Sequence, residues 1–152
     1  MQERGVVLLA EDSEDDILLI QRAFEQAGIS NRLHAVREGE TAIAYLSGRG
    51  KYSFRDQYPL PALVLLDLKL PGMDGFEVLR WIRQEPDLSG LVVIVLTVSD
   101  HIRDVTRAYE LGANSFLVKE PNFLDAVEQA RLLHQYWLDE LLVNSGGSQI
   151  ER

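Results

Sequence analysis

Apolar and polar positions along this chain fall into two alternating rhythms. Short runs of consecutive apolar residues occur at 6–10, 63–66, 91–96 and 116–118, and 33–36 is a further short run broken by His34. Runs of this length and continuity predict strands of a parallel sheet covered on both faces. Between them, apolar residues recur at helical spacing. Ser13-Glu14-Asp15-Asp16 resembles a capping box opening a helix that Gly28 ends near residue 27. A second helix is predicted over 41–46, stopped by Gly48 and Gly50, and a third over 76–83, with Asp74 as its cap. The fourth is expected over 102–111, and Asn122 caps the fifth. Residues 49–61, with Tyr52, Phe54, Tyr58 and two prolines, form a connection longer than most in α/β folds. Strands alternating with helices in one small unit return the chain in the same direction each time. The expectation is an α/β fold with a doubly wound five-stranded parallel sheet and five helices.

Polar residues stand at the carboxyl ends of these strands. Glu11 and Asp12 follow the first run, Asp67 the third, Thr97 the fourth and Lys119 the fifth. In a parallel sheet those ends share one edge, where open α/β sheets bind ligands. A carboxylate inside an apolar strand is expensive to desolvate, but at its end it is tolerable and usable. Each residue also has a plainer reading: Asp67 as a cap or loop residue, Lys119 as its ion-pair partner, Thr97 as a helix cap. Three carboxylates, a hydroxyl and an amine on one edge make a stronger pattern than any one alone. Packed carboxylates repel unless a cation intervenes, and oxygen ligands select a hard ion such as Mg²⁺.

The pair Glu11-Asp12, the stretch DLKLPGMDG around Asp67, Thr97 after VVIVL and Lys119 after SFLV resemble receiver domains of two-component response regulators, in content and in order. The likeness runs over residues 6–142. It implies a flavodoxin-like sheet of order 2-1-3-4-5, with Glu11, Asp12 and Asp67 at the topological switch point. It further implies Mg²⁺ bound by Asp12, Asp67 and the backbone carbonyl of Lys69, with Glu11 acting through water. Asp67 would be the phosphoacceptor, Lys119 a charge for the transferred phosphoryl group, and Thr97 a hydroxyl donor to it. Phe116 would be the aromatic that changes rotamer with Thr97, and it can equally be core.

On this likeness the chain is a receiver domain over 1–143, without a DNA-binding output domain, that takes a phosphoryl group from a sensor histidine kinase and signals by protein contact. It would be no enzyme beyond its own phosphorylation and dephosphorylation. The alternatives are a pseudo-receiver that binds partners without phosphorylation and a phosphatase of the haloacid dehalogenase type. The phosphatase wants an acid two residues after its nucleophile, where Lys69 stands. The family usually places proline directly after the lysine; here Glu120 intervenes before Pro121, so a cis Lys119-Glu120 bond would cost about 2.5–4 kcal/mol, and Glu120-Pro121 could be cis more cheaply. The long 49–61 connection, the Lys119-Glu120 sequence and Trp137 look more like the stand-alone regulators paired with bacterial phytochromes.

Composition narrows the rest. A formal charge of −9 argues against nucleic acid as a partner. With no signal-like or spanning segment and no cysteine, a cytoplasmic protein off the membrane is expected. SGRGKYS falls short of a Walker loop, because Tyr45 and Tyr52 stand where glycine and a hydroxyl residue are needed. His34, His101 and His134 are not spaced as metal ligands, and His134 reads as a helix-surface residue. On the last helix Phe123, Ala126, Val127, Ala130, Leu133 and Trp137 recur as a core stripe. Leu132, Tyr136, Leu138, Leu141, Leu142 and Val143 add apolar surface beyond it, which predicts a homodimer through the C-terminal part of the fold. Residues 144–152 read as a disordered tail.

Overall fold

The computed structural model describes residues 5–138. Five parallel strands, β1 (Val7–Ala10), β2 (Leu33–Val36), β3 (Leu63–Leu66), β4 (Val92–Thr97) and β5 (Ser115–Val118), form one sheet in the order β2-β1-β3-β4-β5. The helices are α1 (Glu14–Gln26), α2 (Gly39–Ser47), α3 (Gly75–Gln84), α4 (Ile102–Glu110) and α5 (Phe123–Leu133). The expected order and helix count are observed, with element ends moved by a residue or two.

The continuous apolar runs arise because both faces of the sheet are covered. Leu8, Val64, Leu66, Val93 and Val95 meet Tyr45, Val78, Leu79 and Ile82 of α2 and α3. Val7, Leu9, Leu63, Leu65 and Ile94 meet Phe24 of α1 and Val127 and Leu133 of α5. Successive side chains of a strand point to opposite faces, so the central strands β1 and β3 are apolar at every position.

The helix ends follow local chemistry. Ser13 Oγ accepts the Asp16 amide at 3.2 Å, and Asp74 and Glu77 form a complete capping box at α3. The Ser13 box is only half built, since Asp16 sends its carboxylate to Lys119 instead. Asn122 caps α5. Gly48, in the left-handed conformation, closes α2.

The 49–61 connection is less irregular than its length suggests. It holds a short 3₁₀ turn at Gly50–Ser53, and Arg55 donates to the carbonyls of Tyr45, Leu46 and Tyr58. Tyr45, Tyr52 and Tyr58 pack with His34 at ring-centroid distances of 5.0–6.3 Å. At the opposite edge from the strand ends, the Arg83 guanidinium donates to the carbonyls of Gly112, Ser89 and Leu91 and to Asn114 Oδ1. Asn114 Oδ1 also accepts the Val93 amide at 2.8 Å.

The end of α5 departs from the expected stripe. Ala126, Val127, Ala130 and Leu133 are buried, but Phe123 is 38% exposed. Phe123 is the first residue of the helix, three positions before the first that meets the core. His134–Leu138 form a wider π turn, which returns Leu138 to the face of Leu133 and leaves it 4% exposed. Leu138 therefore belongs to the core rather than to the outer surface. Leu132 and Tyr136 are exposed, as expected. Leu141, Leu142, Val143 and the tail 144–152 lie outside the described residues. No helix among the described residues is long and apolar enough to cross a membrane.

Candidate functional site

Asp67 follows the last residue of β3, and its amide donates to the Ala10 carbonyl at 3.0 Å, which fixes it against the end of β1. Gly75 closes the turn after it: its amide donates to the Leu68 carbonyl, and a Cβ there would collide with the Asp67 carbonyl oxygen. The Asp67 residue is 6% exposed. Asp67 Oδ1 accepts from Thr97 Oγ1 at 2.8 Å and from the Lys69 amide at 3.1 Å. Asp67 Oδ2 accepts from Lys119 Nζ at 2.9 Å. Thr97, at the end of β4, is fully buried, and its carbonyl accepts the Lys119 amide.

Lys119 is the hub. Besides Asp67, its ammonium meets Glu11 Oε1 at 2.5 Å and Asp16 Oδ2 at 2.8 Å. Burial would favour the neutral amine, but hydrogen bonds to Asp16, Glu11 and Asp67 outweigh it and hold the ammonium charged well above the usual range. Glu11 is 1% exposed; burial pushes its carboxyl up to about 7, against the pull of Lys119 and the Ser13 amide. One ammonium thus faces the carboxyl groups of Glu11, Asp16 and Asp67.

The structure brings Glu11, Asp67, Thr97 and Lys119 into direct contact. Asp12 stands on the same edge, at the end of β1, with an exposed side chain. Lys69 meets Asp67 through its amide, and its side chain is exposed. Phe116, in β5, is half-buried and packs on the face covered by α2 and α3. Both Lys119-Glu120 and Glu120-Pro121 are trans; no cis bond occurs among the described residues. His34 lies in the tyrosine cluster and has no part in the acidic edge.

Asp16 is the residue that pattern reading misplaced. The Ser13 cap fixes the first turn of α1 so that its third residue faces Lys119. The available signal was an acid four residues, about one helical turn, beyond Asp12.

The donor set is oxygen only and acidic, which suits a hard divalent cation. Among the described residues, however, no three acidic or histidine side chains are already gathered as a metal cage. The Lys119 ammonium bridges Glu11 and Asp67 instead.

Comparison with known proteins agrees with this fold. The family profile described as response regulator receiver domain matches residues 7–131. The chain is 40% identical over 134 residues to the response regulator Rcp1 of Synechocystis sp., covering 88% of this chain and 89% of the relative. The Mn²⁺-bound crystal structure of Rcp1 superposes with a TM-score of 0.78 over 89% of this chain and 95% of that one. A response regulator in red light signalling of R. palustris is 41% identical, with a TM-score of 0.85 over 89% and 94% of the two chains. The phosphorylated cyanobacterial phytochrome response regulator RcpA is 34% identical, with a TM-score of 0.82 over 90% and 96%.

Proposed function

The chain belongs to the response regulator receiver family, and we propose that it acts there as a phosphorylation switch with Asp67 as acceptor. The observation that carries this reading is the state of Asp67. It is a buried carboxylate at the switch point of the sheet, with one oxygen held by Thr97 and the other by Lys119. A carboxylate oxygen of Asp67 attacks the phosphorus of a phosphohistidine. The new O–P bond makes an acyl phosphate, the P–N bond breaks, and its electron pair returns to the imidazole of the donor.

Asp12, Asp67 and the backbone carbonyl of Lys69 would hold Mg²⁺, with Glu11 acting through water. When bound, the ion neutralises charge on the phosphoryl oxygens. Lys119 supplies a point charge to the same group, and Thr97 turns its hydroxyl from Asp67 Oδ1 to a phosphoryl oxygen. Phe116 then moves with Thr97, and the altered surface is read by a partner. The Mn²⁺-bound state of the relative Rcp1 supports a divalent site here.

The kinase is proposed to be a sensor histidine kinase of the phytochrome type, working in the cytoplasm, on the strength of the regulators this chain resembles. A second copy is proposed to pair through α5 and the turn after it, where Leu132 and Tyr136 are exposed. Sedimentation of the full chain tests this; a monomer at micromolar concentration removes the dimer.

Acetyl phosphate with Mg²⁺, then intact-mass measurement, tests the switch. One phosphoryl increment is expected on the wild type and none on Asp67→Asn, which keeps the shape but lacks the nucleophile. An unmodified wild type would leave the binding-module reading. A modified Asn variant would place the acceptor elsewhere.

A further inference from the structure

The turn between β2 and α2 touches both loops that carry the proposed metal-binding acids, although none of its own residues has a role in the phosphoryl chemistry. Arg37, the first residue after β2, reaches across the sheet edge and donates from its guanidinium to the Asp12 carbonyl at 2.8 Å. The strand before it is already tied to the same loop, since the Glu11 amide donates to the Val36 carbonyl at 2.9 Å. Two residues later Gly39 opens α2. A Cβ there would collide with the Met73 carbonyl and press on Val78 Cγ2, so the helix start lies directly on the loop running from Asp67 to α3. Gly39 is buried despite its place at the rim. Loop position matters because a carboxylate displaced by about 1 Å loses much of its value in a coordination or transfer geometry.

We propose that Arg37 and Gly39 form a clip that sets the Asp12 loop against the Asp67 loop, and that both are positioning residues for the cation and the phosphoryl group. This rests on the phosphoacceptor reading of Asp67. Charge alone and positioning predict opposite signs for Arg37. As a mere positive charge beside an acidic edge, Arg37 would repel a divalent cation, and its neutralisation would tighten binding. As a clip, its loss frees the Asp12 loop and weakens binding.

The test is calorimetric titration of the metal-free full chain with Mg²⁺, together with initial rates of acetyl phosphate incorporation at saturating Mg²⁺. Wild type, Arg37→Gln, Arg37→Lys and Gly39→Ala are compared, each checked for an unchanged circular dichroism spectrum. Outer partners of metal ligands commonly contribute 10–100-fold in affinity, and an exposed bond belongs at the low end. Arg37→Gln is expected to weaken Mg²⁺ binding about tenfold. Arg37→Lys should be no better, because a compact ammonium on a shorter reach replaces the planar fork. Gly39→Ala should lower the incorporation rate even at saturating Mg²⁺, since it shifts the acceptor loop itself. Unchanged or tighter Mg²⁺ binding by Arg37→Gln would overturn the clip. A Gly39→Ala chain that folds and reacts at the wild-type rate would overturn its second half. A wild type that neither binds Mg²⁺ nor takes up phosphate would overturn the phosphoacceptor reading instead.

Discussion

Glu11 and Val98 show how single positions set the behaviour of the Asp67 cluster. The Glu11 carboxyl, raised to about 7 from 4.5, keeps a proton in the folded chain that the unfolded chain releases. Stability from this group is therefore present at low pH and is lost as pH rises from 4.5 toward 7. In chelator, Glu11→Gln should melt about 2–4 °C above wild type at neutral pH. That advantage should vanish near pH 5, as differential scanning calorimetry across pH would reveal. Val98 borders Thr97, is 60% exposed and is stiff at χ1. Hydrolysis of an acyl phosphate needs an in-line water, and the hypothesis is that Val98 with the exposed Lys69 side chain narrows its approach. Val98→Ala should speed dephosphorylation about two- to threefold, under roughly 0.7 kcal/mol of barrier. An unchanged or slower decay in Mg²⁺ buffer rejects the steric argument.

Elements were legible in the chain wherever one periodicity ruled. The predicted runs became β1 to β5, because the central strands of a two-sided sheet demand apolar stretches. Glu11, Asp67, Thr97 and Lys119 could be placed together from strand ends alone, since parallel topology puts those ends on one edge. What depended on side-chain reach stayed hidden. Asp16 read as a helix cap acid, and Leu138 faced inward only through the π turn after α5. The 49–61 connection looked like loose chain, because nothing local announces that Arg55 will fasten three carbonyls. Its aromatic cluster has a measurable cost. Burial first, then Arg32 and Lys51, lowers the His34 pKa from 6.5, so the unfolded chain binds the proton more readily than the fold. Stability should fall as pH drops through 6.5. In His34→Phe, which keeps a ring in the cluster, that part of the slope in melting temperature should disappear.

The whole molecule combines an acidic edge with a sheet whose two faces are packed independently, and the opposite edge is fastened by Arg83. That guanidinium ties the exit of α3 to the starts of β4 and β5 and to the turn after α4, at distances of 2.6–3.1 Å. Of α4's residues only Ala108 is buried, and Arg107 rests over the Phe76 ring at 4.3 Å. In hydrogen-exchange terms the Arg83 junction and α4 should run on separate clocks. Amides of Val93 and Asn114, in backbone and side-chain bonds beside Arg83, should exchange only with global unfolding. Amides within α4 should exchange sooner, by local opening. Mass spectrometry after deuterium labelling would reject this if α4 were protected as long as β4. Arg83→Lys should shorten the slow clock and leave the fast one alone. With those two clocks, helix α4 is expected to melt and re-form many times in the lifetime of one folded sheet.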